Sequence, residues 1–222
     1  MRVMDMQTGT PPTRRMGNEN SKTRALLLDS AEQLMREEGY AAVTSRRLAA
    51  YAGLKPQLVH YYFRTMDDLF LDLFNRVADG YLVRLRALLA SRGPLQALWD
   101  IACDHDKGVL TVEFMALANH RKTIRAAIAE YGERSRDIQR EILHSFIDKR
   151  RIDAEKWPPV ALAFILECVA RALVIETNLG ATTGHAEVLA LLARLDHQLA
   201  ELPPSKESGP ETKARRQRKL KA

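Results

Sequence analysis

The stretch from Thr44 to Phe63, TSRRLAAYAGLKPQLVHYYF, constrains the fold more than any other part of this chain. A glycine divides it into two apolar-periodic runs, each too short to form a stable helix alone. Such a pair must lean on other helices. Thr44 is placed to cap a helix beginning at Ser45, its hydroxyl accepting from the backbone N–H of Arg46 or Arg47. Leu48, Ala49 and Ala52 give that helix a narrow face of small and medium apolar side chains, suited to close packing. Gly53 supplies the left-handed turn that a departing chain commonly needs, and Leu54 plugs it. Lys55-Pro56 opens a second helix, because a proline in the first turn gives up no intrahelical hydrogen bond. Two short helices across such a turn make a helix-turn-helix, whose second helix enters the DNA major groove with its N-terminal residues at base edges. That geometry turns Lys55, Gln57 and Tyr61 outward, with Leu58 beside them, and returns Val59 and Phe63 to the core.

The flanking sequence supplies the helices on which this pair can rest. Upstream, Leu27, Leu28, Ala31, Leu34 and Met35 recur at helical spacing, and Gly39-Tyr40 closes the run. Downstream, Asp67-Asp68 stands at the start of a second run through Leu69, Phe70, Leu73, Phe74 and Val77, where carboxylates favour a helix N-terminus. A three-helix head on a long connecting helix follows.

At these residues the chain resembles the TetR family of bacterial transcriptional regulators. The resemblance is carried by Leu27-Leu28, Ala31, Leu34, Gly39-Tyr40, Thr44, Leu48-Ala49, Ala52-Gly53-Leu54 and Tyr61-Tyr62-Phe63, within Lys22 to Phe74. It implies a dimer with an all-helical ligand-binding and dimerisation domain behind the reader, repressing until a small molecule binds. The helix-turn-helix geometry, the local charge and the resemblance together give Thr44, Ser45, Arg46, Arg47, Lys55, Pro56, Gln57, Leu58, His60, Tyr61, Tyr62 and Arg64 as the expected DNA-contacting set, with Arg46 and Arg47 on the phosphate backbone. Three positions depart from the family's habit. Lys55-Pro56-Gln57 replaces its usual opening of the recognition helix, His60 stands where a tyrosine is common, and Met66 where a phosphate-contacting lysine is usual, leaving Arg64 as the substitute.

Composition agrees with an all-α regulator. Hydrophobic residues make up 46% of the chain and prolines number 9, as in ordinary folded proteins, and β-branched alternation is sparse. Residues 1–66 hold 10 Lys/Arg against 6 Asp/Glu, residues 67–202 hold 17 against 20, and residues 203–222 hold 7 against 2. A basic head on a mildly acidic body suits a polyanionic partner, since neutralised phosphates release counterions and supply most non-specific affinity. Residues 1–20 read as a disordered arm, 21–66 as the DNA-binding head, 67–202 as the effector-binding and dimerisation body, and 203–222 as a basic disordered tail. The tail's Lys213–Lys221 run offers either DNA attraction or solubility. The N-terminus has no basic-then-apolar leader pattern, and the most apolar stretch, Pro159–Ile175, is interrupted by Glu167 and Arg171 and is short for a bilayer. These features favour the cytoplasm and no membrane partner. Cys103 and Cys168 lie far apart in apolar helical contexts and read as free thiols rather than a disulfide.

In the body, periodicity predicts helices over 67–91, 95–106, 109–120, 122–151, 159–179 and 184–202, punctuated by Gly93-Pro94, Trp157-Pro158-Pro159 and Gly180–Gly184. The last two carry Val160, Phe164, Val169, Leu173, Leu189, Leu192 and Leu195. That is more apolar surface than one small bundle needs, so residues 159–202 are the expected homodimer seam, a four-helix bundle across a two-fold axis. For a hydrophobic or amphipathic effector the sequence offers Trp99, Phe114 and Met115, with Asn119 and His120 as polar handles, although such a set also suits plain core. No cofactor is implied. Asp104-His105-Asp106 is the sole His/carboxylate cluster, and its spacing matches no zinc motif. No nucleophile elbow or phosphate-cradling glycine loop is present, so no catalytic or metal residue is assigned. A helix-turn-helix adaptor for proteins, or an activator without an effector, is the alternative; the basic head disfavours the adaptor.

Overall fold

The computed structural model describes residues 22–90, 94–150 and 152–201. Among these, every regular element is helical. The expected arm and tail, residues 1–20 and 203–222, lie outside the described residues. The chain forms two compact units that part between Phe74 and Asn75.

The first unit contains α1 (Lys22–Glu38), a single 3-10 turn at Tyr40–Ala42, α2 (Ser45–Tyr51), α3 (Pro56–Tyr62) and the start of α4 (Met66–Ala87). Each of these helices turns one stripe inward: Leu27, Leu28, Ala31, Leu34 and Met35 from α1, Leu48 and Ala49 from α2, Val59 from α3, and Leu69, Phe70, Leu73 and Phe74 from α4 are all buried. Chain reversals are fixed locally. Gly39 leaves α1 at φ 82° and Gly53 leaves α2 at φ 67°, a region in which a Cβ clashes with the backbone. An added Cβ at Gly53 would meet nothing within 4 Å, so the backbone angle, not crowding, selects glycine there. The start of α4 is a reciprocal cap: the Asp68 N–H donates to Thr65 Oγ1 at 3.1 Å, and the Thr65 N–H donates to Asp68 Oδ2 at 2.9 Å. The Thr-x-x-acid signature was there in the sequence, although the acidic pair alone drew the expectation.

The second unit holds the rest of α4, α5 (Pro94–Ala102), α6 (His105–Ala118), α7 (Lys122–Lys149), α8 (Pro159–Leu179) and α9 (His185–Glu201). Its core joins Leu82 and Leu85 of α4, Leu95 and Leu98 of α5, Ile138, Ile142, Leu143, Phe146 and Ile147 of α7, and Ala163 of α8. The expected helices over 95–106 and 109–120 need correction. The break falls at Cys103-Asp104, and α6 begins at His105 with Asp104 at the N-cap position, its carboxylate turned away from the helix's own N–H groups. Asp104 also accepts from Arg84 Nη1 at 3.2 Å. The junction of α6 and α7 is closed by Arg125, which donates to the carbonyls of Ala118 at 3.2 Å and Asn119 at 3.1 Å, two of the orphan acceptors at a helix C-terminus. Gly180 ends α8 in the left-handed conformation, its N–H donating to the Thr177 carbonyl at 3.1 Å.

Cys103 and Cys168 are both free thiols. Burial, reinforced by the Asp100 carboxylate, pushes the Cys103 thiol up to about 11, so it stays protonated and poorly nucleophilic at neutral pH. No helix among the described residues is long and apolar enough to cross a membrane, and no group of three or more His, Cys, Asp or Glu among them could hold a metal ion.

Candidate nucleic-acid interface

Thr44 begins the reader. Its extended backbone and its Oγ1, which accepts from the Arg47 N–H at 3.3 Å, start α2 at Ser45 as the sequence predicts. Thr44→Ala should remove this cap and lower the stability of the head by ~1 kcal/mol, measurable by chemical denaturation. The turn that follows is held by the Leu54 N–H donating to the Ala49 carbonyl at 2.8 Å, with Leu54 half-buried beneath it. Lys55 caps α3 in an extended conformation, and Pro56 occupies the first helical position.

From that start α3 has a sharply divided surface. Val59 and the following Phe63 are each 1% exposed, which locks the helix rotationally. Lys55, Pro56, Gln57, His60 and Tyr61 are exposed on the other side, and Leu58 and Tyr62 are half-buried at its margins. Gln57, His60 and Tyr61 stand at i, i+3 and i+4 and so share one face. The Tyr61 and Tyr62 rings meet edge to face, with centroids 5.0 Å apart, a contact that limits how far Tyr61 can swing. Around α3, Thr44, Arg46, Arg47 and Arg64 are exposed and Ser45 is half-buried. The arrangement offers cations for phosphates, an amide for a base edge and hydroxyls for either.

Two features of this surface were not anticipated from the sequence. Arg24 of α1 pairs with Asp72 of α4 while its guanidinium lies 5.2 Å over the Phe63 ring, tying three helices together behind the reader. Arg47 pairs with Glu38, and the Tyr51 hydroxyl donates to Glu37 Oε2 at 3.2 Å. The acidic end of α1 therefore holds Arg47, one of the two arginines expected on the phosphate backbone. Glu38→Gln should tighten DNA binding roughly two- to fivefold, the range of an exposed ion pair plus one removed like-charge repulsion; titration at fixed salt checks it.

The five residues expected to form an effector site differ widely in exposure. Phe114 is buried, while its neighbour Met115 is 44% exposed, because adjacent helical residues diverge by about 100°. Asn119 and His120 are exposed beyond the end of α6, and Trp99 is half-buried on α5. An open groove of about 800 Å³ runs along α7, lined by Asp137, Arg140, Glu141, His144, Asp148 and Lys149 among others. All of its lining residues come from this one helix, so the groove is open to solvent. Of the Asp104-His105-Asp106 cluster, only Asp104 has a described side chain, and it faces Arg84.

Comparison with known proteins agrees with this geometry. The family described as "Bacterial regulatory proteins, tetR family" matches residues 27–73. The HTH-type transcriptional regulator BetI of Rhizobium meliloti (strain 1021) is 28% identical over 123 residues, 53% of this chain and 55% of that regulator. The chain thus spans about half the length of that relative. Salmonella enterica GusR shares the fold with a TM-score of 0.65 at 14% identity, over 83% of this chain and 97% of its own. The transcriptional regulator FadR from Bacillus subtilis, solved in complex with stearoyl-CoA, does so with a TM-score of 0.58 at 17% identity, over 80% and 97%. Residues 27–73 thus form a helix-turn-helix head of the TetR family of bacterial transcriptional regulators, on a helical body whose fold solved regulators share.

Proposed function

We propose that the chain is a ligand-responsive repressor that binds a pseudopalindromic operator as a homodimer in the cytoplasm. The observation that carries the DNA half of this reading is the divided surface of α3, anchored by Val59 and Phe63 and presenting Lys55, Gln57, His60 and Tyr61. Lys55 and Gln57 read base edges, Thr44, Arg46, Arg47 and Arg64 hold phosphates, and Tyr61 orients the helix on the backbone. Ser45, Pro56, Leu58 and Tyr62 support them at the interface. The head comprises residues 21–66, and residues 67–202 form the effector and dimerisation body.

Support for the dimer comes from apolar side chains left uncovered on α8 and α9. Val160, Phe164, Ile165 and Leu179 on α8 are 48%, 55%, 54% and 79% exposed, and Leu189 and Leu191 on α9 are 45% and 49% exposed. Large exposed apolar side chains in this density mark an interaction surface, and a second copy covers them as a four-helix bundle. Of the seven residues expected to form the seam, Val160, Phe164 and Leu189 are exposed, and Val169, Leu173, Leu192 and Leu195 are half-buried. The hairpin is held by His185, whose Nε2 lies 2.9 Å from Glu176 Oε2.

Responsiveness follows from population shift: an effector that binds one separation of the two heads better than another changes operator affinity by that difference. The FadR neighbour holds an acyl-CoA, so this fold accommodates organic ligands. The test is sedimentation at micromolar concentration together with retardation of DNA upstream of the chain's own coding region. A dimer that retards this DNA supports the reading; a monomer, or a dimer indifferent to the fragment, contradicts it.

A further inference from the structure

A polar cluster sits against the apolar core of the second unit, where Tyr81 of α4 and Tyr131 of α7 pack edge to face with centroids 6.0 Å apart. Both phenols are raised above their ordinary value, chiefly by burial. Tyr81 is pushed up to about 12, with the Glu167 carboxylate as the second cause, and in Tyr131 burial is followed by Tyr81 and Glu167. Both stay neutral hydroxyls. One and two turns along α7 from Tyr131, Ser135 and Gln139 are 2% and 4% exposed, polar side chains at core depth. Glu167 of α8 holds two cations, Arg136 at 3.1 Å and Arg171 at 2.6 Å, so this group carries one positive charge in excess. The Arg136 guanidinium also lies 4.9 Å from the centre of the Phe164 ring.

Hydrogen bonding around this cluster is incomplete. Arg136 Nη1 is buried with no acceptor, Gln139 Oε1 is buried with no donor, and Arg84 Nε and Nη2, one turn along α4 from Tyr81, are buried with no acceptor although Arg84 Nη1 is met by Asp104. A buried group left unpaired forfeits its hydration without replacement, and the penalty is larger for a charged one. The unmet donors sit on arginines and the excess charge is positive, so the missing partner is an anion. One excess charge calls for a monoanion, and the planar fork of a guanidinium suits a carboxylate. Tyr81 and Tyr131, both acted on by the Glu167 carboxylate that Arg136 meets, offer two rings to a flat apolar body. Gln139 Oε1 asks for a hydroxyl or amine on that body.

We propose that the effector is a small organic monocarboxylate with an aromatic-sized apolar body, its carboxylate on Arg136 and its polar substituent on Gln139. This rests on the effector-responsive reading above and gives that effector a chemical class. It also moves the site from Trp99 and Phe114 to the face of α7 that meets α4 and α8.

The test is thermal denaturation of the full chain with benzoate, phenylacetate and cinnamate, each also in its 4-hydroxy form, and with the matching neutral amides, at up to about 10 mM. At least one carboxylate should raise Tm in a concentration-dependent way while its amide does not. Arg136→Gln should weaken that carboxylate at least about tenfold, with Arg136→Lys recovering part of the loss. Gln139→Leu should equalise the hydroxylated and unhydroxylated forms, a readout that remains if Arg136→Gln fails to fold. No shift with any carboxylate, equal shifts with the amides, or binding indifferent to both positions overturns the proposal. Because binding is read without DNA, the two readings fail separately. A carboxylate that binds without releasing DNA removes responsiveness and keeps the class, whereas release by a neutral compound alone keeps responsiveness and removes the class.

Discussion

Replacing Phe63 with alanine is expected to unfold the DNA-reading head and abolish operator binding while leaving the helical body intact. Phe63 is 1% exposed, directly follows α3 and carries the Arg24 guanidinium over its ring. Truncation of a buried phenylalanine costs ~3–5 kcal/mol. A unit as small as the first one buries a modest core, so a loss of that size takes most of its margin. The ring also fixes the rotation of α3, so even a residual fold would present Gln57 and Tyr61 at the wrong angle. Circular dichroism should show partial loss of helix with a retained high-temperature transition, alongside loss of DNA retardation. A single cooperative loss of all helix would mean that the two units do not unfold separately.

The second large effect is expected at Gly108. A Cβ built there would lie 1.8 Å from Val174 Cγ1 and 3.1 Å from its Cβ. Here glycine serves the close approach of α6 to α8 and not a special backbone angle. Valine is stiff at χ1, so its methyl cannot simply swing aside. Gly108→Ala should therefore destabilise the body by about 2 kcal/mol despite the ~1 kcal/mol that alanine contributes to helix propensity. Val174→Ala removes the clashing methyl, and the double variant should be more stable than Gly108→Ala alone, a coupling that a double-mutant cycle by denaturant titration resolves. Additive effects would place the strain elsewhere.

These two positions also mark how far the sequence could be read. Phe63 was legible because the reader is built from local rules: a Thr cap, a glycine turn, a proline opening and apolar residues at helical spacing, each confined to a few neighbours. The same locality made the starts of α3 and α8 and the glycine exits from α2 and α8 readable. Gly108 was not legible, since its partner lies 66 positions away on a helix whose crossing no local pattern specifies. The break at Cys103-Asp104 is not legible because apolar spacing runs on through it and the partner of Asp104, Arg84, lies 20 positions away. The Thr65/Asp68 cap is local, and its Thr-x-x-Asp spacing is legible in the sequence. In the candidate sites the division is similar. The exposed face of α3 follows from period and caps, whereas the Arg47–Glu38 pair and the Tyr81, Tyr131 and Arg136 cluster depend on long-range packing.

DNA reading by α3 is best tested on genomic DNA. The direct measurement is selection of genomic fragments by the purified chain followed by footprinting, repeated with a Gln57→Ala/Tyr61→Ala variant whose helicity is checked. A protected pseudopalindrome with half-site centres about 34 Å apart is expected, lost in the variant to the level of unrelated competitor DNA. Selection of the same fragments by the variant, or no preference over competitor DNA by the unaltered chain, would contradict it.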